Sequence, residues 1–100
     1  MGFPVKFTAA VTGNFTVLDV LIMNVLVPSP GGKVSVTENY SSHGNLIVRF
    51  RISALNGTDI KIIYKCTSSG ISTSDMNNPS PVEDTVTKNG FKEIKLIIPV

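Results

Sequence analysis

Residues 46–66, LIVRFRISALNGTDIKIIYKC, alternate apolar and polar side chains on both sides of an Asn56-Gly57 pair. A repeat of two residues is the period of a β-strand, in which successive side chains point to opposite faces. The apolar set of this stretch is Leu46, Val48, Phe50 and Ile52 before the turn, and Ile60, Ile62, Tyr64 and Cys66 after it. The stretch therefore predicts two half-buried strands joined by a tight turn.

The same period continues outside this stretch, and turn signals separate the alternating segments. Alternation recurs in residues 5–12, 33–37 and 94–100, which are rich in β-branched side chains. The turn signals are Thr12-Gly13-Asn14, residues 28–32, residues 41–45 and Asn89-Gly90, and the Gly31-Gly32 pair predicts a hairpin turn. The sequence thus predicts an all-β fold with residues 1–100 as one domain. Its expected form is a two-sheet antiparallel β-sandwich of about seven strands, immunoglobulin-like or a small jelly roll.

The turn at Asn56-Gly57 decides how its two flanking strands would pair in a hairpin. A two-residue turn would place Ile52 opposite Lys61, an apolar side chain against a charged one. A three-residue loop that includes Leu55 instead places Ile52 opposite Ile60, with Gly57 in the left-handed position of a bulge. We prefer the second register, because a slip of one residue turns every side chain to the wrong face.

Residues 15–27, FTVLDVLIMNVLV, are apolar on both faces of a predicted strand. A two-sheet sandwich covers only one face of each strand, so the other face needs a separate cover. That cover is either the rest of the domain, around a kinked or bulged central strand, or another copy of the chain or a partner. An amphipathic helix is a third interpretation. The segment predicts a self-association interface formed by Leu18, Val20, Ile22 and Leu26.

The preferred hairpin register gathers basic side chains on the outward face. Arg51 would lie opposite Lys61, with Arg49 and Lys65 beside them. Like charges directly opposed are destabilising, so carboxylates such as Glu38 or Glu93 would balance them, or an anionic partner would bind there. The second interpretation predicts an anionic-partner patch, which in head-to-tail assembly would meet acidic residues of another copy.

Residues 67–85, TSSGISTSDMNNPSPVEDT, are polar and contain two prolines, and they predict a long polar loop. A loop of this length inside a compact domain is uncommon and often functional. The residues able to bind a partner there are Asp75, Asn77, Asn78, Glu83 and Asp84. The same residues suggest a calcium site, but the spacing of an EF-hand is absent, so no metal is predicted.

Composition limits the classes of function. The chain is 42% hydrophobic and 16% charged, which favours a folded domain, and its net charge of +2 argues against a nucleic-acid partner. The sequence contains no run of 18 or more apolar residues, so no membrane span is predicted. A surface rich in Ser, Thr and Asn is typical of extracellular and virion proteins. The sequons at Asn14, Asn39 and Asn56 fall at predicted turns, and they matter only if the chain is secreted through a glycosylating pathway.

Catalytic motifs are absent from the sequence. The single cysteine, Cys66, is predicted to point inward, and the single histidine, His43, lies in a predicted turn of another segment. A nucleophilic pair or a standard zinc site therefore has no support, and we predict neither an enzyme nor a cofactor.

Two functions follow as expectations. The first is a non-enzymatic structural or assembly subunit, of the coat, decoration or filament type, whose partners are copies of itself. The alternative is a monomeric recognition module that binds carbohydrate or another protein through residues 67–85. The mass of the protein in solution separates the two.

Overall fold

The computed structural model describes residues 2–100, which form two antiparallel sheets packed face to face. Their nine strands are β1 (Phe3–Thr12), β2 (Phe15–Ile22), β3 (Val25–Val27), β4 (Lys33–Tyr40), β5 (Asn45–Ala54), β6 (Asp59–Ser68), β7 (Ile71–Thr73), β8 (Val82–Thr85) and β9 (Phe91–Pro99). A short 3₁₀ turn, Pro30–Gly32, connects β3 to β4. The predicted all-β sandwich is confirmed, with nine strands in place of about seven.

The two sheets contain different strands in a fixed order. Sheet A has the order β4-β1-β6-β7, and β8 pairs with a second stretch of the same edge of β6. Sheet B has the order β3-β2-β5-β9. In residues 2–100 no helix is long or apolar enough to cross a membrane.

The core lies between the sheets and is formed by the residues that the alternation predicts. The inward positions of β1, β5, β6 and β9 are buried except at three strand ends, Phe3, Ser68 and Lys92, which are half-buried. Val48, Phe50, Ile62 and Leu96 have no measurable exposure. Burying one such side chain stabilises the fold by roughly 1.5–3 kcal/mol, so the inward apolar side chains of the alternating strands are the main source of stability.

The predicted hairpin around Asn56-Gly57 is wrong. Strand β5 pairs with β2 and β9 in sheet B, while β6 pairs with β1 in sheet A, so residues 55–58 cross from one sheet to the other. Gly57 does adopt the predicted left-handed backbone, with φ 92°. Its N–H donates to the carbonyl of Val86, which lies in the connection from β8 to β9. The Gly31-Gly32 turn likewise joins two sheets and is not a hairpin.

The predicted long loop at 67–85 contains two short strands. Ser69 and Gly70 both have positive φ, and they form the two-residue turn of a β6–β7 hairpin. Strand β8 then pairs with the beginning of β6. Residues 74–81 remain irregular and form what we call the 74–81 loop.

Residues 15–27 form the β2–β3 hairpin, so the helical interpretation is wrong. Met23 and Asn24 make a two-residue turn with φ 52° and 65°, the positive values that a type I′ turn requires. The register against β5 shifts between Phe15 and Val17, which is a bulge of the kind considered for this segment. The bulge turns Phe15 toward the core, opposite Ala54, and Val17 outward, opposite Ser53.

Candidate functional site

The side of sheet B that points away from the core carries more exposed large apolar side chains than the corresponding side of sheet A, and we call it the outer face of sheet B. Its residues alternate with the buried ones along each strand. They are Val17, Asp19 and Leu21 of β2, Leu26 of β3, Ile47, Arg49, Arg51 and Ser53 of β5, and Phe91, Glu93, Lys95 and Ile97 of β9.

Large apolar side chains at both ends of this face remain open to solvent. Leu26 is 63% exposed beside Leu21, and Val17 is 50% exposed at the opposite end. Phe91 and Ile97 on β9 are 45% and 43% exposed. Exposed apolar patches on a sheet face commonly mark an interaction surface, whereas isolated exposed apolar residues are normal.

A charged row crosses the middle of the outer face of sheet B. Asp19, Arg51 and Glu93 lie directly opposite one another on β2, β5 and β9. Glu93 Oε1 lies 3.4 Å from Arg51 Nε and 3.9 Å from a terminal nitrogen of Arg49. Partly exposed ion pairs of this kind contribute about 0–1 kcal/mol each. The face thus carries charges of both signs between two apolar ends.

The outer face of sheet A has a different character. Its outward positions are mostly Lys, Thr, Ser and Asn, and Ile63 is the one large aliphatic side chain among those that the structure describes there. A solvated sheet face has this polar pattern. Among residues 2–100, the outer face of sheet B is therefore the sheet face with several large exposed apolar side chains, and it is the stronger candidate for an interaction surface.

The predicted interface of Leu18, Val20, Ile22 and Leu26 is wrong for its first three residues. Val20 and Ile22 are buried, and Leu18 packs against the same core. Leu26 is outward, because the Met23-Asn24 turn reverses the chain and places it opposite Leu21. The premise that one face stays uncovered holds, but the uncovered face is the one that carries Val17 and Leu21.

The predicted basic patch is divided between the two sides of the sandwich. Arg49 and Arg51 lie on the outer face of sheet B, whereas Lys61 and Lys65 lie on sheet A. The division follows from the crossing at residues 55–58, which separates the two strands that were expected to pair. Glu93 balances both arginines, as the sequence suggested for this residue, and Lys61 Nζ lies 3.9 Å from Glu83.

The predicted loop-binding residues do not form one cluster. Glu83 and Asp84 belong to β8, where they pair with Lys61 and Lys92, at 3.9 Å and 3.1 Å. A concavity of about 640 Å³ lies beside them and is lined by Thr12, Gly13, Asp59, Ile60, Lys61, Glu83, Asp84 and Thr85. Within residues 2–100 no group of three His, Cys, Asp or Glu side chains is arranged to hold a metal ion.

Asp75 is buried and acts as a structural acceptor. Its Oδ1 accepts from the Asn77 N–H at 2.9 Å, and its Oδ2 accepts from the Ile97 N–H at 2.9 Å and from Asn78 Nδ2 at 3.2 Å. The Tyr64 hydroxyl accepts a hydrogen bond from the Asp75 N–H and donates one to the Asn78 carbonyl at 2.6 Å. We call this group of five residues the Asp75 clasp; it ties the 74–81 loop to β6 and to the edge of β9.

The clasp makes stability depend on pH. Burial alone would raise the pKa of Asp75, but hydrogen bonds from Ile97, Asn78 and Asn77 outweigh it and hold the pKa below its usual value. The ionised form therefore stabilises the fold above the unfolded pKa of about 3.9, and this stabilisation is lost as the pH falls through the folded pKa. Urea unfolding at pH 7, 4, 3 and 2 should show the advantage of the native chain over Asp75→Asn shrinking below pH 4. A constant difference would contradict this assignment.

Cys66 and His43 lie in separate surroundings. Cys66 is buried, as predicted, and lies opposite Phe7 of β1, whereas the hairpin register would have placed it opposite Leu46. Burial raises the pKa of its thiol to about 11. The His43 ring stacks on Phe3 with centroids 4.4 Å apart, and its Nδ1 lies 2.9 Å from the carbonyl oxygen of Val100. The thiol is therefore protonated at neutral pH and poorly suited to act as a nucleophile.

Comparison with known proteins gives no further guide to this surface. No family model matches the chain, and no curated protein or solved structure matches it either.

Proposed function

We propose that the protein is a non-enzymatic assembly subunit, and that the outer face of sheet B packs against the same face of a second copy. The observation that carries this proposal is that the outer face of sheet B has exposed apolar side chains at both of its ends, whereas the outer face of sheet A is polar. Leu21 and Leu26 mark one end, and Val17 and Phe91 the other.

A second copy suits this face in charge and in size. Asp19 and Glu93 lie among Arg49, Arg51 and Lys95, so the surface offers both partners of an ion pair to an identical surface. The molecule measures 45 × 24 × 18 Å. Its broad side is thus on the order of 1000 Å², and a standard interface uses about 800 Å² from each partner.

Leu26→Lys tests the proposal. A buried unpaired ammonium group costs at least about 2 kcal/mol, so the dissociation constant of the assembly should rise by about 30-fold or more. Light scattering across a concentration series is expected to give multiples of 10.7 kDa for the native chain and a lower mass for Leu26→Lys at the same concentration.

The matched control is Met76→Lys, which places the same charge at an apolar residue that is 90% exposed on the 74–81 loop. Its mass should equal that of the native chain. A native protein that remains at 10.7 kDa at every concentration would overturn the proposed function.

The alternative role as a recognition module has one supporting observation. Met76 and Ile71 are 90% and 72% exposed on the segment 67–85, which was expected to bind carbohydrate or protein. A strictly monomeric native chain would favour this role, because the outer face of sheet B would then have no copy to cover it.

A further inference from the structure

Strand β4 is a free edge of sheet A along its whole length, Lys33–Tyr40. The Ser69 N–H donates to the Pro4 carbonyl, so Pro4 directs its carbonyl toward β6. Alternation then directs the neighbouring odd-numbered residues of β1 toward β4. Through the register, in which Phe7 lies opposite Val36, the backbone groups of Ser35, Thr37 and Asn39 point to the open side. The Lys33 carbonyl also points to the open side, whereas the Lys33 N–H donates to the carbonyl of Pro30.

The edges of sheet B are interrupted. Strand β3 has three residues, and its chain leaves the sheet at Pro28, which has no N–H to donate. On the other edge, β9, the Ile97 N–H donates to Asp75 and the Pro99 carbonyl accepts from the Thr73 hydroxyl. Short strands, prolines and covered backbone groups are the usual means by which proteins prevent strand addition at an edge.

The opposite edge of sheet A is interrupted in a similar way. It consists of β7 and β8, which have three and four residues and pair with separate stretches of β6. Between them the Ser80 hydroxyl accepts the Tyr64 N–H at 3.0 Å. Residues 15–19 of β2, which β3 leaves unpaired, are interrupted by the bulge between Phe15 and Val17. Strand β4 is thus the longest uninterrupted free edge of the described sandwich, and it contains neither a proline nor a side-chain cap.

We propose that β4 pairs antiparallel with β4 of a second copy, with Ser35 directly opposite the copy's Ser35. In this register Val34 faces the copy's Val36, and Lys33 faces Thr37, so no like charges are opposed. Val34 is buried, and both valines lie on the core side of the strand. Because β4 begins at Lys33, this register pairs only residues 33–37, and Glu38 lies outside the contact. The pairing is strand addition, in which backbone hydrogen bonds supply the affinity.

This inference rests on the proposed assembly role and adds a second contact to it. A single two-fold contact closes a dimer, whereas two different two-fold contacts on one chain extend the assembly beyond a dimer. Pairing at β4 would join two A sheets edge to edge, and packing of the outer face of sheet B would stack the resulting layers.

Cross-linking tests the register. In a Cys66→Ala chain, Ser35→Cys and Thr37→Cys place single thiols two residues apart on the same side of β4. Directly opposed residues of this kind lie about 5.5 Å apart between Cα atoms, within the range of a disulfide, whereas two Thr37 residues would be about 14 Å apart. With diamide as oxidant, Ser35→Cys should form a covalent dimer at least about tenfold faster than Thr37→Cys.

The same pair of variants is then made in the Leu26→Lys chain, so that the two contacts fail separately. Persistence of the rapid Ser35→Cys dimer there supports β4 as an independent contact. Equal slow rates for both cysteines, or a faster Thr37→Cys dimer, would overturn the β4 pairing, while a mass that still responds to Leu26→Lys would leave the proposed function intact. A rapid Ser35→Cys dimer combined with a mass indifferent to Leu26→Lys would retain the edge and refute the face.

Discussion

Asp75→Ala is expected to lower the free energy of unfolding by about 3 kcal/mol, because it removes a buried charged acceptor from three part-buried donors. The Ile97 N–H at the edge of β9 and the Asn77 N–H both lose their partner. For a domain of 100 residues a loss of this size lowers Tm by roughly 12–24 °C. Urea unfolding at pH 7, followed by circular dichroism, measures the change.

Two further variants separate the clasp from a general effect of charge. Glu38→Ala removes an exposed carboxylate and should change the free energy of unfolding by less than about 0.5 kcal/mol. Tyr64→Phe removes the hydroxyl that bonds Asp75 and Asn78. Because Tyr64 and Asp75 share one network, the double variant should lose less than the sum of the single losses. Equal stability of Asp75→Ala and Glu38→Ala would refute the clasp.

The facing of the long strands was predictable because it depends on a local pattern. Alternation in β5 and β6 identified Phe50, Ile52, Ile60 and Ile62 as inward, and all four are buried. The positive φ of Gly57 was predicted as well, but for the bulge of a hairpin that the structure does not contain; glycine adopts such a backbone without steric cost in either setting.

The sheet to which each strand belongs was not predictable from that pattern. Strands that face each other across a sandwich and strands that pair in a hairpin both direct their apolar sets to one core. Ile52 and Ile60 satisfy either arrangement, so the choice between a hairpin and a crossing depends on long-range pairing with β2, β1 and β9. The division of the basic patch is the direct consequence.

The candidate surface was half predictable. Residues 15–27 have too many apolar side chains for one face, and the sequence shows this excess. Which face stays open was decided by a bulge at Phe15–Val17 and by a turn at Met23-Asn24. A positive φ is uncommon for residues other than glycine and asparagine, so no turn signal marked Met23 in the sequence. The burial of Asp75 had no periodic signal either, because it depends on Tyr64 and Ile97 from distant strands.

Gly32→Ala is expected to be the other strongly destabilising single change, at about 4 kcal/mol, by combining a left-handed backbone with a steric clash. Gly32 is buried in the turn between β3 and β4 with φ 79°. A Cβ there would lie 2.5 Å from the carbonyl oxygen of Val11, a backbone atom of β1. Relief requires β1 to move, and β1 carries one side of the core. The midpoint of urea unfolding should fall without a change in m-value.

Gly31→Ala is the matched control, because it changes the adjacent residue in the same way. Gly31 also has a positive φ, 62°, but a Cβ would meet no atom within 4 Å. Its cost should be about 1 kcal/mol from the left-handed backbone alone. The effect of each alanine on the unfolded chain is the same and cancels between the two variants. The difference in their unfolding midpoints therefore measures how closely the Pro30–Gly32 turn packs on β1. Equal midpoints would show that sheet A tolerates displacement at Val11.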